Sequence, residues 1–314
     1  TGLVTAGADK IIMRSDDHGE TGRRSVRIAS RRTYNQGLFV LRLDHVPTGC
    51  GTWPAFWMLG ADPEHSWPTW GEYDIIEGVH RNSRVMTSLH TTQDCNQADV
   101  SLGHVGVKHA TGTWALGSSG DAADNCYIQA SGQWRNQGCS QIGPESSMGP
   151  QFNAAGGGTY VAEWDPEARL IRTWFWPPES EPADLAQGTP DPRSWGKPYS
   201  FFSLASKICS RNHFVEMRLI FDLTFCGDLG AASFAQSCPE YRSMQCDEFV
   251  RLHPQNFTEA YWSLRALDVF RRGVIPVPAV TTPPPAPEVA VADAAARTPS
   301  VPVDFSVDSL PTTS

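Results

Sequence analysis

Three acidic side chains lie close together in the segment Gly71–Gly78, which reads GEYDIIEG. The residues between them are aromatic or β-branched and therefore favour a strand. Because side chains alternate between the two faces of a regular strand, Glu72 and Asp74 would share one face and Glu77 would point away. A single β-bulge at Ile75–Ile76 would reverse that parity and bring all three carboxylates to one face.

Carboxylates crowded on one face can carry out acid–base chemistry. Like charges at short range separate their pKa values, so that one group keeps its proton while another ionises. Glycoside hydrolysis with retention of configuration requires such a pair, one carboxylate as nucleophile and one as proton donor. Two other interpretations remain open on spacing alone. The acids could protect an exposed strand edge from aggregation, or they could ligate calcium.

Aromatic residues precede the acidic segment. The chain has 11 tryptophans, and a flat indole can stack on the C–H face of a sugar ring. Trp53 and Trp57 are four residues apart, so they share a face if this segment is a strand. Both could then reach a sugar-binding cleft, although either could instead belong to the core.

Composition and charge restrict the classes of partner. Lys and Arg total 25 against 34 Asp and Glu, a net charge of −9, which argues against nucleic acid. No run of about 18 apolar residues is present, so no membrane-spanning segment is predicted. We expect a monomer, with no cofactor and with no site residue assigned to a metal; the sequence does not decide whether a structural calcium binds elsewhere.

The eight cysteines are scattered and include no paired C-x-x-C metal pattern. An even number in loop-like sequence predicts disulfides, and therefore an oxidising compartment. We expect an extracellular protein, secreted or associated with the cell wall. The sequence does not give their connectivity, although we expect Cys238 and Cys246 to lie close together in one loop.

Short strand-like runs separated by turn-rich stretches predict an all-β protein with little helix, arranged as a sandwich or jelly roll. The one helical turn expected lies near Phe257–Tyr261. Residues 1–272 are predicted to form the catalytic domain, and residues 273–314, rich in Pro, Thr and Ser, a disordered tail. The predicted strands are Lys10–Met13, Ser25–Ile28, Leu38–Leu43, Ala55–Leu59, Tyr73–Glu77, Val85–His90, Tyr160–Trp164, Ile171–Trp176, Glu216–Leu223 and Ala266–Phe270.

Several motifs, in this order along the chain, resemble those of family 16 glycoside hydrolases, and specifically of the fungal laminarinase-like β-1,3(4)-glucanases. The resemblance covers about residues 1–272. It rests on Gly51–Trp57 (GTWPAFW), Trp67-Pro68, Glu72–Gly78 and Met86–Thr91 (MTSLHT), supported by Gly22–Ile28, Phe152–Ala154, Gly156–Gly158, Ser194–Pro198, Asp222–Asp228 and Ala260–Trp262.

The resemblance implies a concanavalin A-like β-jelly-roll sandwich with a cleft on its concave sheet. It also implies endo-hydrolysis of β-1,3 or mixed β-1,3/1,4 glucan with retention, through a covalent glycosyl-enzyme intermediate and without a cofactor. By resemblance, Glu72 is the nucleophile, Asp74 the assisting carboxylate and Glu77 the general acid/base. The same motifs imply substrate contacts by Arg27, Trp53, Trp57, Trp67 and His90, with His90 either orienting a catalytic carboxylate or contacting the sugar.

Some positions depart from the family pattern. Leu229 stands after Asp228 where relatives carry a cleft tryptophan, and Gln133–Met148 reads as a longer loop than usual. The chain also begins late, so we expect the N-terminal edge strands of the family to be missing. The late start and Leu229 keep open the alternative of a glucan-binding protein with little turnover. A transglycosylase, which passes the glycosyl group to another sugar, also stays open, because the sequence does not separate acceptor-side contacts for sugar from those for water.

Overall fold

A computed structural model of the chain describes residues 2–271, apart from 19–21, 61, 104, 107 and 206, and residues 303–308. Its strands form two antiparallel sheets, of seven and eight strands, and the all-β sandwich predicted from the sequence is confirmed. None of the described helices combines the length and the hydropathy needed to cross a membrane.

The strands occur in the chain in the order β1 (Val4–Ala6), β2 (Ile11–Arg14), β3 (Arg27–Ser30), β4 (Gly37–His45), β5 (Thr52–Leu59), β6 (Glu72–Glu77), β7 (Met86–His90), β8 (Thr113–Trp114), β9 (Cys139–Ile142), β10 (Gly158–Asp165), β11 (Leu170–Trp176), β12 (Ser200–Ser203), β13 (Arg218–Phe225), β14 (Tyr261–Phe270) and β15 (Phe305–Asp308). In space, the first sheet runs β1-β2-β14-β4-β10-β11-β12 and the second β15-β3-β13-β5-β6-β7-β9-β8.

The core lies between the sheets because alternate residues of each strand face inward. Phe39 and Tyr160 of the first sheet pack in one cluster with Phe56 and Phe221 of the second, and all four are almost fully buried. The other face of β4 contributes Leu38 and Val40 to a smaller outer cluster.

Helix is more extensive than predicted. The helices are α1 (Gly149–Ala154), α2 (Ala183–Ala186), α3 (Gly227–Ser237) and α4 (Cys246–Leu252), with 3-10 turns at Arg211–His213, Pro239–Tyr241 and Pro254–Phe257. Of these, only the last turn was expected, near Phe257–Tyr261. α3 and α4 build a separate small core around Phe234 and Phe249, which tertiary packing and disulfides stabilise more than local propensity does.

Four disulfides connect the eight cysteines, so the prediction of disulfide bonding is confirmed. Cys238 and Cys246 pack in the same small core, but they are not bonded to each other. The pairs are Cys50–Cys238, Cys95–Cys209, Cys126–Cys139 and Cys226–Cys246.

Two segments differ from their predicted structure. Gln133–Met148 was expected to be a loop, but it contains β9, which pairs with β7. Within the predicted tail, residues 303–308 include β15, which pairs with β3, and Phe305 contacts Phe221 with ring centroids 6.1 Å apart. An open strand edge and an apolar residue for the core explain this pairing. Residues 273–302 and 309–314 lie outside the described residues, so the division at residue 272 stays a prediction.

Candidate active site

The acidic segment is β6, the central strand among β5, β6 and β7, and it carries the predicted bulge. On β5, Trp57 pairs with Asp74, and its neighbour Phe56 pairs with Ile76. Ile75 therefore has no partner residue on β5. On β7, the register also shifts between Asp74 and Glu77. The extra residue places all three acids on the same face of the strand, and the prediction of a bulge at Ile75–Ile76 is confirmed.

The residues between the acids pack into the core. Tyr73, Ile75 and Ile76 are at most 1% exposed and belong to the cluster between the sheets. The Tyr73 hydroxyl is 2.6 Å from Thr173 Oγ1 of the opposite sheet. β6 therefore presents its acids on the face turned away from the core.

A bulge leaves backbone groups without their ladder partners, and here side chains satisfy one of them. The Thr87 hydroxyl donates to the Ile75 carbonyl at 3.0 Å. The Tyr199 hydroxyl lies 2.8 Å from Thr87 Oγ1 and 3.4 Å from the same carbonyl. These buried hydroxyls hold the bulge in one geometry.

Glu72 is the most exposed of the three acids, with 17% of its side chain accessible. Trp67 Nε1 donates to its Oε2 at 2.8 Å, and its Oε1 lies 3.8 Å from His90 Nε2. Trp67, at the edge of the site, is itself 36% exposed. The carboxylate therefore has one oxygen fixed by an indole and the other directed towards the histidine.

Glu77 also accepts a hydrogen bond from an indole, since Trp53 Nε1 donates to its Oε1 at 2.9 Å. The Trp53 ring packs against the start of α3, where a Cβ at Gly227 would lie 2.3 Å from Trp53 Cζ3. Gly227 has a φ of +57°, which suits glycine. α3 thus fixes the indole that orients Glu77, and Leu229 is half-buried on the same helix.

Asp74 is 3% exposed and contacts the histidine of the next strand. His90 Nε2 lies 2.9 Å from Asp74 Oδ2, while the buried Nδ1 of His90 has no hydrogen-bond partner among the described residues. A hydrogen on Nε2 fits the first observation, because Nε2 then donates to the Asp74 carboxylate.

Arg27 and Trp57 stack on each other, with the guanidinium carbon 4.8 Å from the ring centroid. Asp222 pairs in the ladder with both Arg27 and Ala55, and it is 7% exposed. Sequence reasoning assigned no role to Asp222. The detectable signal was a single carboxylate within the otherwise apolar run Leu219–Leu223.

The carboxyl groups of the site hold their protons more strongly than free acids do. Burial, followed by the charge of Asp74, raises the pKa of Glu72 to about 8. Burial and the charges of Glu77 and Asp222 raise the pKa of Asp74. Burial also raises the pKa of Glu77, against the opposing effects of His90 and Trp53, and raises that of Asp222 to about 7. The cluster therefore retains protons near neutral pH.

Glu72, Asp74 and His90 also offer ligand atoms that all lie within 4.8 Å of one another, so a cation could bind there. The structure thus groups the acids with Trp53, Trp67 and His90 by direct contacts, and places Arg27 and Trp57 on the neighbouring strands. The arrangement therefore provides two carboxyl groups, Glu72 and Glu77, each hydrogen-bonded to an indole, together with the buried pair Asp74–His90.

Comparison with known proteins identifies similar chains. The model of the XgeA-like catalytic GH16 domain matches residues 3–270. A probable glycosidase of Schizosaccharomyces pombe is 38% identical over 86% of this chain and 60% of its own length. An endo-1,3(4)-beta-glucanase of Arthroderma benhamiae is 36% identical over 81% of this chain and 52% of its own length. This chain therefore spans only about half to three-fifths of these relatives.

Among solved structures, Laminarinase 16A from Phanerochaete chrysosporium, with β-glucans in its donor and acceptor sites, is 33% identical over 86% of both chains, with a TM-score of 0.72. An elongating GH family 16 beta-1,3-glucosyltransferase is 32% identical over 85% of both chains, with a TM-score of 0.70. The fold expected from the resemblance, a jelly-roll sandwich, is thereby confirmed.

Proposed function

Because this chain belongs to glycoside hydrolase family 16, we propose that it is a secreted endo-β-1,3(4)-glucanase that acts on laminarin-like or mixed-linkage β-glucan with retention of configuration. The observation that carries the proposal is the bulge of β6, which turns Glu72, Asp74 and Glu77 to one face. The names of its relatives support glucan as substrate, and four disulfides support an extracellular location.

In the proposed first step, a Glu72 oxygen attacks the anomeric carbon and the glycosidic C–O bond breaks. The leaving oxygen takes a proton from Glu77. Because the Trp53 indole occupies Oε1 of Glu77, Oε2 is the oxygen free to carry that proton. In the second step, Glu77 accepts a proton from water, which attacks the same carbon and releases Glu72.

The raised pKa of Glu72 must be reconciled with its role as an ionised nucleophile. We assign the shared proton of the cluster to Asp74, which is more buried than Glu72. When Asp74 is neutral, burial still raises the pKa of Glu72 but the charge of Asp74 no longer does, and the Trp67 indole stabilises the ionised form. Asp74 then adjusts the charge beside Glu72 as the covalent intermediate forms and breaks.

The test is hydrolysis of laminarin and lichenan by Glu72→Gln and Glu77→Gln. Each variant should release reducing sugar at least about 100-fold more slowly than the parent, because each lacks a group that takes part in the reaction. Glu216→Gln, which changes an exposed acid two residues before β13, is the control and should match the parent. Parent-like rates in Glu72→Gln would refute the assignment.

Two further measurements refine the proposal. NMR of the first product should show the β-anomer, as expected for retention, whereas an initial α-anomer would contradict a covalent intermediate on Glu72. Activity should also persist with EDTA, because the scheme uses no metal. Loss with EDTA and recovery with calcium would instead favour a cation at Glu72, Asp74 and His90.

Transfer to a second sugar is the alternative outcome, and the likeness to the elongating glucosyltransferase favours testing it. Chromatography of the products from laminarioligosaccharides distinguishes the two. Shorter products indicate hydrolysis, and products longer than the substrate indicate transglycosylation. Binding without any product would support the glucan-binding alternative.

A further inference from the structure

The loop Asn125–Gly138, here called the 125–138 loop, lies against the end of β7. Thr91, directly after His90, donates its N–H to the Cys126 carbonyl at 2.9 Å and accepts from Ile128 N–H at 3.2 Å. The disulfide Cys126–Cys139 closes the loop at its base. Its position therefore depends on the same strand that carries His90.

The other end of the loop touches the His90 ring directly. Gly138 has a φ of +62°, and a Cβ there would lie 2.2 Å from the Leu89 carbonyl oxygen and 2.8 Å from His90 Nδ1. Only glycine allows so close an approach. The loop is thus continuous with the candidate site on the side where Glu72 pairs with His90.

Two large apolar side chains project from this region. Trp134 of the loop and Leu116, which follows β8, are each 64% exposed. Gln137 joins them, since its Oε1 accepts from Trp134 N–H at 2.9 Å and its Nε2 donates to the Leu116 carbonyl at 2.9 Å. Gln133 braces the loop by donating to the Gly138 carbonyl at 2.7 Å. The exposed indole is therefore held on a braced backbone.

Trp134 is close enough to the site to extend it. Four peptide units separate Trp134 from Gly138, so their Cα atoms are at most about 14 Å apart. Gln129 is exposed on the same loop and accepts from the half-buried Tyr127 hydroxyl at 3.1 Å. An exposed indole on a loop that also carries a hydroxyl and an amide is chemistry that suits a sugar chain.

We infer that Trp134, flanked by Leu116, is a secondary glucan-binding platform that extends the cleft beyond His90. It would stack on a glucosyl ring several units away from the scissile bond. A protein partner fits less well, because two side chains provide far less than the roughly 800 Å² that each side of a stable protein interface buries. The inference rests on the proposed function, since it requires a glucan chain in the cleft.

The experiment compares binding of laminaribiose and laminariheptaose by isothermal titration, in the inactive Glu72→Gln background. Adding Trp134→Ala should reduce the ratio of heptaose to biose affinity about tenfold, the upper range for one aromatic stacking contact. Trp134→Phe should restore most of the ratio. Leu252→Ala, which removes a 47% exposed side chain from the end of α4, is the matched control and should leave the ratio unchanged.

An unchanged ratio in Trp134→Ala would overturn the platform. So would an equal loss for both ligands, because the loop would then act only through His90. In either case, product release by the parent chain would leave the proposed function standing. If the Glu72→Gln background bound neither ligand and the parent released no product, the proposed function and the platform would fail together.

Discussion

At the scale of single residues, the site depends on which carboxyl group holds a proton. Each acid has a different partner: Glu72 an indole and the solvent, Asp74 a histidine, and Glu77 an indole within a buried setting. Different partners separate groups that would titrate together in isolation. Because the pKa of each is raised, the folded protein binds protons that the unfolded chain would release at the same pH.

This proton retention predicts that the site lowers stability at neutral pH. The folded pKa of Glu72, about 8 against 4.5 for the free acid, belongs to the cluster in which Glu72 and Asp74 share a proton, so the free energy of unfolding falls as pH rises from 4.5 towards 8. Glu72→Gln should therefore unfold at a higher temperature than the parent at pH 7.5, and the gain should vanish near pH 4. Thermal unfolding followed by circular dichroism across this range measures the difference.

Glu216→Gln removes an acid whose pKa is shifted in the opposite direction. Hydrogen bonds from Thr33 and Asn35 lower the pKa of Glu216, so its ionised form stabilises the fold at neutral pH. Its replacement should give no gain at pH 7.5. A Glu72→Gln variant that is no more stable than the parent at pH 7.5, or whose gain grows towards acid pH, would contradict the assignment of raised pKa values.

At the scale of the element, the β-bulge of β6 converts a periodic strand into a site. Without Ile75 as an extra residue, Glu77 would face the core, where an ionised carboxylate is costly. The irregularity is maintained from outside the strand, by the hydroxyls of Thr87 and Tyr199 on the Ile75 carbonyl. Thr87 is thus a positioning residue for acids that it does not contact.

Removal of the Thr87 hydroxyl should disturb both stability and rate. Thr87→Val leaves the buried Ile75 carbonyl without its shortest donor, which should cost about 1–3 kcal/mol of unfolding free energy. Because the bulge sets the distance between Glu72 and Glu77, kcat should also fall while KM changes little. Denaturant unfolding and steady-state kinetics on laminarin measure the two effects.

The matched control is Thr87→Ser, which keeps the hydroxyl and should retain most of the parent kcat. If Thr87→Val keeps the parent kcat despite lower stability, the hydroxyl serves packing alone and the bulge holds its geometry without it. If Thr87→Ser loses kcat as fully as Thr87→Val, the methyl group rather than the hydrogen bond would be responsible.

At the scale of the whole molecule, disulfides connect parts of the chain that sheets alone leave separate. Cys50 precedes β5 and Cys238 follows α3, and their bond spans 188 residues. The bond Cys126–Cys139 spans 13 and closes the 125–138 loop. The first therefore constrains the unfolded chain much more than the second.

The two bonds should contribute unequally to stability. Replacing Cys50 and Cys238 by Ala should lower the free energy of unfolding by about 2 kcal/mol more than replacing Cys126 and Cys139, from the logarithmic dependence on loop length. For a domain of this size, that difference corresponds to about 3–4 °C in Tm. Calorimetry of the two double variants measures it, and an equal or larger loss in the Cys126/Cys139 variant would contradict the chain-entropy account.

Local pattern explains how much of the fold could be predicted. All ten predicted strands overlap observed strands, because each has a β-branched or aromatic run bounded by turns. β8, with two residues, and β9 were not predicted, since their pairing with each other and with β7 is non-local. β15 joins β3 from more than 270 positions away in the chain, and no local signal marks that partner.

The amino-acid sequence alone determined the acidic segment, its parity problem and the bulge that resolves it, because alternation along a strand is a local rule. It also determined that the cysteines would pair. Tertiary structure decided which indole binds which acid and that Asp222 lies beside Arg27. It also decided that the 125–138 loop lies against His90 at Gly138. Most of those contacts join residues distant in sequence, and only the pairing and packing of the strands brings them together.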